Sequence, residues 1–431
     1  MKHNWKRTKI SDLCDLIVDC VNKTAPKVSY ETDFKMLRTT NIKNGRIDTS
    51  NCYFVEKNTF KKWTKRASVK KNDILLTREA PMGEVGLVNF DENVFLGQRI
   101  VQYRANQDKL DSYFLLYSFL SPDLQFQFKR HSGTGSTVSH IRVPDCTEFE
   151  ISHPLLGEQK KIAAVLSALD AKIDCNNRIN AELEAMAKTL YDYWFVQFDF
   201  PISKAQAQAM GIPALEGKPY KSSGGKMEYN KVLKREIPAG WEDSSILAVA
   251  DLLGGGTPTK KNPEFWGGEI PFFTPTDADG TIFKFTTADY ITNDGLKKSS
   301  TKLFPKNTIF ITARGSVGRL VLTGVSMAMN QSCYALQAKP KIPHTFLFFL
   351  TKELVHHLEV KSSGSVFDSI VSNDIEFTKL AIPDLGSVQQ FGEIVGPTFK
   401  QIANNIQQNH HLAQLRDWLL PMLMNGQVTV A

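Results

Sequence analysis

Residues 162–194 read IAAVLSALDAKIDCNNRINAELEAMAKTLYDYW. Within them Ile162, Leu166, Leu169, Ile173, Asn176, Asn180, Leu183, Ala187, Leu190 and Trp194 follow one another at alternating steps of four and three. That is the a/d rhythm of a helix with one seam, the spacing of a coiled coil. The rhythm returns at Phe391, Val395, Thr398, Ile402, Asn405, Asn409, Leu412, Arg416, Leu419 and Leu423, each 229 residues after its counterpart. Both seams carry two consecutive asparagines at their centre. One polar seam residue fixes register at a cost in stability. Two in a row, placed alike in both copies, mark a duplication.

If the two helices pair antiparallel, Asn176 faces Asn409 and Asn180 faces Asn405, flanked by Leu183 and Leu412. Each amide can then donate to and accept from its partner, so neither is buried unsatisfied. A parallel pair also stacks asparagines, 176 on 405, so the pattern alone does not fix orientation. Contacts of Leu169 with Arg416 and of Ala187 with Thr398 would mark the antiparallel arrangement; Leu169 against Thr398 would mark the other.

The repeat extends beyond the helices. Lys9-Ile-Ser-Asp-Leu13 is matched by Ile246-Leu-Ala-Val-Ala-Asp-Leu252, Ile74-Leu-Leu-Thr77 by Ile309-Phe-Ile-Thr312, and Gly83-Glu-Val-Gly86 by Gly315-Ser-Val-Gly318. Leu96-Gly-Gln-Arg99 is matched by Met329-Asn-Gln-Ser332, Ser132-Gly-Thr-Gly-Ser136 by Ser362-Ser-Gly-Ser365, and His153-Pro-Leu-Leu-Gly157 by Ile382-Pro-Asp-Leu-Gly386. Short β-branched and aromatic runs predict strands over 73–77, 94–103, 308–312 and 333–337, and apolar runs predict helices over 110–120 and 345–360. Leu156-Gly157 reads as the start of the first long helix, and Ser387 as the N-cap of the second. The expected fold class is α+β. Two pseudo-symmetric globular domains are each followed by a long helix, and the helices pair as an antiparallel coiled coil. The expected boundaries are 1–153, helix 154–200, linker 201–236, 237–384 and helix 385–431. In the linker, Gly224-Gly225 reads as a flexible turn.

Composition places limits on function. The 431 residues are 42% hydrophobic and 23% charged, as in ordinary globular proteins. Apolar runs such as 346–350 are far too short to span a bilayer, and no apolar segment follows the basic N-terminus, so we expect neither membrane nor signal peptide. Six scattered cysteines without C-x-x-C read as reduced thiols of a cytoplasmic protein. No histidine pattern has metal-ligand spacing. The net charge of +7 favours an anionic partner.

Catalytic motifs are missing. Asn262-Pro-Glu-Phe265 departs at its third residue from the Asn/Asp-Pro-Pro-Tyr/Phe string of a flipped-base methyltransferase pocket. Gly254-Gly-Gly256 runs into Thr-Pro rather than into a G-x-G-x-x-G or phosphate-loop motif. Asp145, Glu148 and Glu150 lack the lysine of a metal-dependent nuclease and read as solvated loop. We expect no catalytic residue and no metal site.

The residues then reach a family. The second half carries Gly255-Gly-Thr-Pro-Thr-Lys260, Phe265-Trp-Gly-Gly-Glu-Ile-Pro-Phe272 and Asp277; the first carries Leu37-Arg-Thr-Thr-Asn-Ile-Lys-Asn-Gly-Arg-Ile47. Between them lie Gly217-Lys-Pro-Tyr-Lys-Ser-Ser-Gly-Gly-Lys226 and Ile237-Pro-Ala-Gly-Trp241, and both helices contain Ile-x-x-Asn-x-x-x-Asn-x-x-Leu. Over nearly its whole length the chain resembles the specificity subunit of type I restriction-modification systems. The resemblance implies two target-recognition domains, each reading half of a bipartite double-stranded DNA site. It implies helices that set the spacing and dock two modification subunits and, in the full enzyme, restriction subunits. It further implies no cofactor in this chain, S-adenosylmethionine, ATP and magnesium belonging to the partners. The other reading is a coiled-coil adaptor that touches DNA little.

For DNA contact, Arg38, Arg46, Arg78 and Arg314 have the fork that reads guanine or grips phosphate. Asn41, Gln98 and Gln331 can read adenine edges or, equally, close a loop. Thr39, Thr40, Thr274, Thr276, Ser136 and Ser365 can donate to phosphates, and Lys43, Lys260 and Lys261 add salt-dependent affinity. Gln98 and Gln331 recur in both copies, which signals a role in the fold, since two readers of different bases should differ. Gly83, Gly86, Gly315 and Gly318 read as tight turns or bulges.

Overall fold

A computed structural model describes residues 5–130, 139–361 and 369–430; Ser136, Ser365 and the Gly-Ser stretches around them lie outside these. Two compact units emerge, one of residues 1–174 with 410–431, the other of residues 175–409.

The first unit is built on a four-stranded antiparallel sheet in the order Cys14–Asp19, Ile100–Ala105, Ile74–Thr77, Val85–Leu87. Alternation splits its side chains between two cores. Ile74 and Leu76 join the core under the helix Ser112–Leu120, and Leu75 joins a smaller one with Leu37, Ile42 and Leu96. Edge-to-face pairs link Tyr103 to Phe119, Phe119 to Phe128 and Phe128 to Phe149, with centroids 5.0, 5.6 and 4.9 Å apart. A second sheet holds Tyr53–Phe54, Phe34–Leu37 and Asn93–Leu96, the last two parallel. The single strand expected over 94–103 is therefore two. The chain breaks at Gly97-Gln98-Arg99, where Arg99 takes φ +72°, and crosses from one sheet to the other.

The second unit repeats this plan. Its main sheet runs Ala250–Gly254, Cys333–Ala338, Ile309–Thr312, Leu320–Thr323, Phe283–Lys284. Trp266–Phe273 lies between Asp289–Ile291 and a parallel Ala328–Met329. The helix His344–Lys361 covers the core as Ser112–Leu120 does in the first unit. The stretch expected as a linker is folded onto this unit. Ser203 caps the helix Lys204–Ala209, and Met227–Asn230 pairs with Arg235–Pro238. Tyr220 stacks on Phe200 at 4.7 Å. Gly225 is no flexible turn: a Cβ there would lie 2.4 Å from the Tyr220 ring, so glycine lets the ring lie flat on the backbone.

The long helices span Leu156–Tyr191, continued by a π-helical turn at Asp192–Val196, and Leu385–Met424. None of the twenty expected seam positions is exposed. In the second unit Asn176 donates to Asn409 Oδ1 and Asn405 donates to Asn180 Oδ1, each at 2.8 Å, so the helices run antiparallel there. In the first unit Asp170, beside Leu169, meets Arg416 at 2.7 Å. Two expectations are corrected. Asp384 caps the second helix, accepting from the Ser387 backbone N–H at 2.9 Å, because its carboxylate stands three residues ahead of Ser387. The asparagine ladder is also incomplete: Asn409 donates to Asn177, leaving the buried Asn176 Oδ1 without a partner. Among the described residues no helix is long and apolar enough to cross a membrane.

Candidate nucleic-acid interface

Three loops come together at the ends of the strands in each unit. In the first, the strand Phe34–Leu37 runs into a 3-10 turn at Thr39–Asn41. Asn41, 4% exposed, closes this turn by accepting from the Arg38 backbone N–H at 2.9 Å. The second unit makes the same closure with a carboxylate: Asp277 accepts from the Thr274 N–H at 2.8 Å. A second loop joins Ile74–Thr77 to Val85–Leu87. The Thr77 hydroxyl donates across it to the Pro81 carbonyl and accepts from the Glu84 N–H, and Thr312 does the same with Ser316 and Arg319. The third loop carries Gln98 or Gln331. Each side-chain carbonyl accepts from a threonine hydroxyl, Thr24 at 3.3 Å and Thr257 in the counterpart. The recurring glutamines thus close the same contact in both copies.

Backbone bonds hold the loops together. Gly97 N–H donates to the Leu37 carbonyl at 2.8 Å and Arg78 N–H to the Arg99 carbonyl at 2.8 Å. The counterparts are Asn330 to Phe273 at 3.0 Å and Ala313 to Ser332 at 2.9 Å. The Thr39 hydroxyl donates to the Ala80 carbonyl at 2.7 Å, tying the first loop to the second. Gly83 and Gly318, at φ +87° and +82°, make the turns expected of them, as does Gly315. Gly86 is different: it lies within a strand, and a Cβ there would stand 2.9 Å from the Arg46 carbonyl.

The scaffold is common, and the side chains on it are not. Arg38 donates to the Asn51 carbonyl and lies over Tyr53 at 4.2 Å, with Nε buried and unpartnered. Arg78 donates to the Ile141 carbonyl at 3.1 Å. Arg46 is turned onto the first long helix, pairing with Asp174 at 2.8 Å and Asp170 at 3.5 Å. Arg314 is exposed, and among the described residues its guanidinium makes no ion pair or hydrogen bond. The equivalent loop position in the first unit is Glu79, which pairs with Arg99 at 3.2 Å. Thr274 is spent on Thr276 and Asp277, each at 2.8 Å, while Thr40, Thr276 and Lys43 are exposed. Lys260 lies over the Trp266 ring at 5.9 Å, beside an exposed Lys261. The candidates therefore divide. Arg38, Thr39, Asn41, Arg46, Arg78 and Thr274 are engaged by the protein; Thr40, Lys43, Lys260, Lys261, Thr276 and Arg314 stand at the surface.

No group of three histidine, cysteine or carboxylate side chains among the described residues could hold a metal. The six cysteines are free thiols; burial pushes Cys14 and Cys333 up to about 12, and Cys52 and Cys146 up to about 11. Burial thus holds these four as thiols, which are poorer nucleophiles than thiolates.

The duplicated scaffold has relatives. The model of the type I restriction modification DNA specificity domain matches residues 2–185 and again 238–414. The chain belongs to this family. It is 26% identical over 404 residues to the HindI specificity subunit of Haemophilus influenzae, covering 84% of this chain and 88% of that one. It is 28% identical over 387 residues to the MjaIX specificity subunit of Methanocaldococcus jannaschii, covering 87% and 82%. Its fold matches the crystal structure of a type I restriction-modification S subunit from M. genitalium at a TM-score of 0.55 and 16% identity, over 97% of this chain and 96% of that one. As a type I DNA-specificity subunit it is a non-catalytic member of its system, working with DNA and with the other subunits.

Reading residues one at a time overlooked two features of this specificity subunit. Arg99, at the centre of the loop cluster, has no motif of its own. The other is the stretch 57–71, which holds seven lysines and arginines and no acidic residue; counting charge in a sliding window would have found it.

Proposed function

We propose that each globular domain of this specificity subunit, 1–153 and 237–384, reads one half of a bipartite duplex site through its loop cluster. The helical regions 154–200 and 385–431 then set the spacing and dock two modification subunits, and restriction subunits in the complete enzyme, with 201–236 as the connecting segment. S-adenosylmethionine, ATP and magnesium would act in those partners, in the cytoplasm. The observation that carries this reading is one scaffold built twice with different exposed side chains. Thr24–Gln98 and Thr257–Gln331 close the same contact, while Arg99 and Glu79 of one cluster are replaced by Ser332 and Arg314 at the equivalent positions of the other. Two readers of unlike sequences need a common fold and unlike surfaces. The reader set we propose is Thr40, Lys43 and Arg99 for the first half, and Lys260, Lys261, Thr276 and Arg314 for the second.

The test is a map of methylated adenines in the host genome with the gene intact and deleted. Loss of methylation at one interrupted, two-part motif is the expected outcome. An unchanged map, with the modification subunits expressed, would refute the reading.

A further inference from the structure

The seven cations of residues 57–71 equal the entire net charge of +7, so the rest of the chain is formally neutral. They are Lys57, Lys61, Lys62, Lys65, Arg66, Lys70 and Lys71, and all are exposed. Arg66 pairs with Asp19 at 2.8 Å and Lys71 with Asp91 at 3.6 Å; among the described residues the other five make no ion pair. Such a block repels itself, and a polyanion relieves it.

Its position ties it to the loop cluster. The helix Lys57–Trp63 turns Phe60 and Trp63 inward, Phe60 onto Phe34 at 4.8 Å and Phe95 at 6.2 Å, and Trp63 onto Phe95 at 6.5 Å. Phe34 and Phe95 belong to the two parallel strands that end in Arg38 and in Gly97-Gln98-Arg99. The lysines thus form the outer face of the layer whose strand ends present the proposed reader. The second domain builds the same helix with less charge. There Asn293–Lys297 sets Leu296 in the place of Phe60, and Lys297-Lys298 repeats Lys61-Lys62. The matching stretch 293–306 holds four lysines and Asp294, which pairs with Lys298 at 2.8 Å.

We infer that the helix Lys57–Trp63 and the basic run after it form a clamp on the DNA sugar-phosphate backbone beside the first half-site, and that the second domain has no equivalent of comparable strength. This rests on the bipartite reading above. The clamp supplies affinity without sequence preference, and the two halves of the site are held unequally.

The experiment uses the full chain assembled with its modification subunits. Binding is measured against salt concentration on a duplex carrying the mapped site and on a scrambled duplex. Each lysine on a phosphate contributes about −0.9 to the slope of log K against log salt. K61Q/K62Q/K65Q should reduce the slope by about two to three on both duplexes, leaving the ratio of specific to scrambled affinity unchanged. K61R/K62R/K65R should keep the wild-type slope, and K297Q/K298Q/K302Q should lower it by about one or less. An unchanged slope in the first variant, equal losses in both glutamine variants, or a changed specificity ratio would overturn the clamp. Wild-type complex that fails to discriminate the duplexes would overturn the half-site reading instead, and the slopes would still decide the clamp.

Discussion

The two units join their globular domain to the long helices by opposite chemistry at matching positions. In the first unit Asp170 is a polar hub. Tyr117 donates to it at 2.7 Å, Arg416 pairs with it at 2.7 Å, and Arg46 reaches it and Asp174. Burial opposes the charge of Arg416, but the Asp170 and Asp417 carboxylates outweigh it and raise its affinity for the proton; burial and Asp170 together push Tyr117 up. The residues in register in the second unit are Phe399 for Asp170, Phe349 for Tyr117, Phe283 for Arg46 and Ala187 for Arg416. There Phe399 packs on Phe349 at 5.7 Å and on Phe283 at 6.1 Å, beside a buried Ala187. One backbone arrangement therefore tolerates either solution. The polar one is directional and costs desolvation, whereas the aromatic one is held by burial and shape.

Five measurements would break or sharpen this contrast. Phe399→Ala should cost most, about 3–5 kcal/mol in urea unfolding, because it empties a site ringed by aromatics. Asp170→Ala should cost about 2–3 kcal/mol, since it leaves the Tyr117 hydroxyl without its acceptor and Arg416 with Asp417 alone. The Arg416→Ala/Asp170→Ala double variant should then lose less than the two single effects added, by a double-mutant cycle; full additivity would dissolve the hub. Arg314→Ala should weaken binding by about 1–3 kcal/mol, and only on duplexes with an intact second half-site, whereas Arg99→Ala should act on the first. Loss at both half-sites from either variant would erase the distinction between the clusters. The smallest effect concerns His344, whose counterpart is Ser112. Burial, then Lys306, lowers the His344 pKa below its ordinary 6.5. The folded state therefore prefers the neutral ring: its contribution is complete above about pH 6.5 and is lost as pH falls below that. A His344→Ser variant should lose less stability than wild type between pH 7 and 5, by thermal melts. Parallel curves would remove His344 from the comparison.

Much of the architecture was legible because it is periodic. The alternating four-and-three steps identify inward positions before any partner is known, and an antiparallel pairing sets Arg416 opposite Leu169, one residue from the Asp170 it meets. That Arg416 bridges Asp170 and Asp417 while Arg46 takes Asp174 was not legible, since it depends on where a strand and two helices converge. The asparagines show the same limit. Their pairing followed from the register, but Asn177 lies off the seam and captures the amide of Asn409 only because of the helix crossing geometry. The candidate site was less legible still. Arg38, Arg46, Arg78 and Arg314 carry identical chemistry in sequence, and only the fold shows that three are committed to Asn51, Asp174 and Ile141.

By itself, then, the sequence determined the duplication, the paired helices and the family, because repeats and heptads are recorded in residue spacing. Tertiary structure decided which polar groups of the loop clusters stand at the surface, which domain–helix contact is charged and which aromatic, and that the basic run sits on the layer of Phe34–Leu37 and Asn93–Leu96. Each of these depends on which distant segments the fold brings within hydrogen-bond or packing distance, and residue spacing carries no record of that.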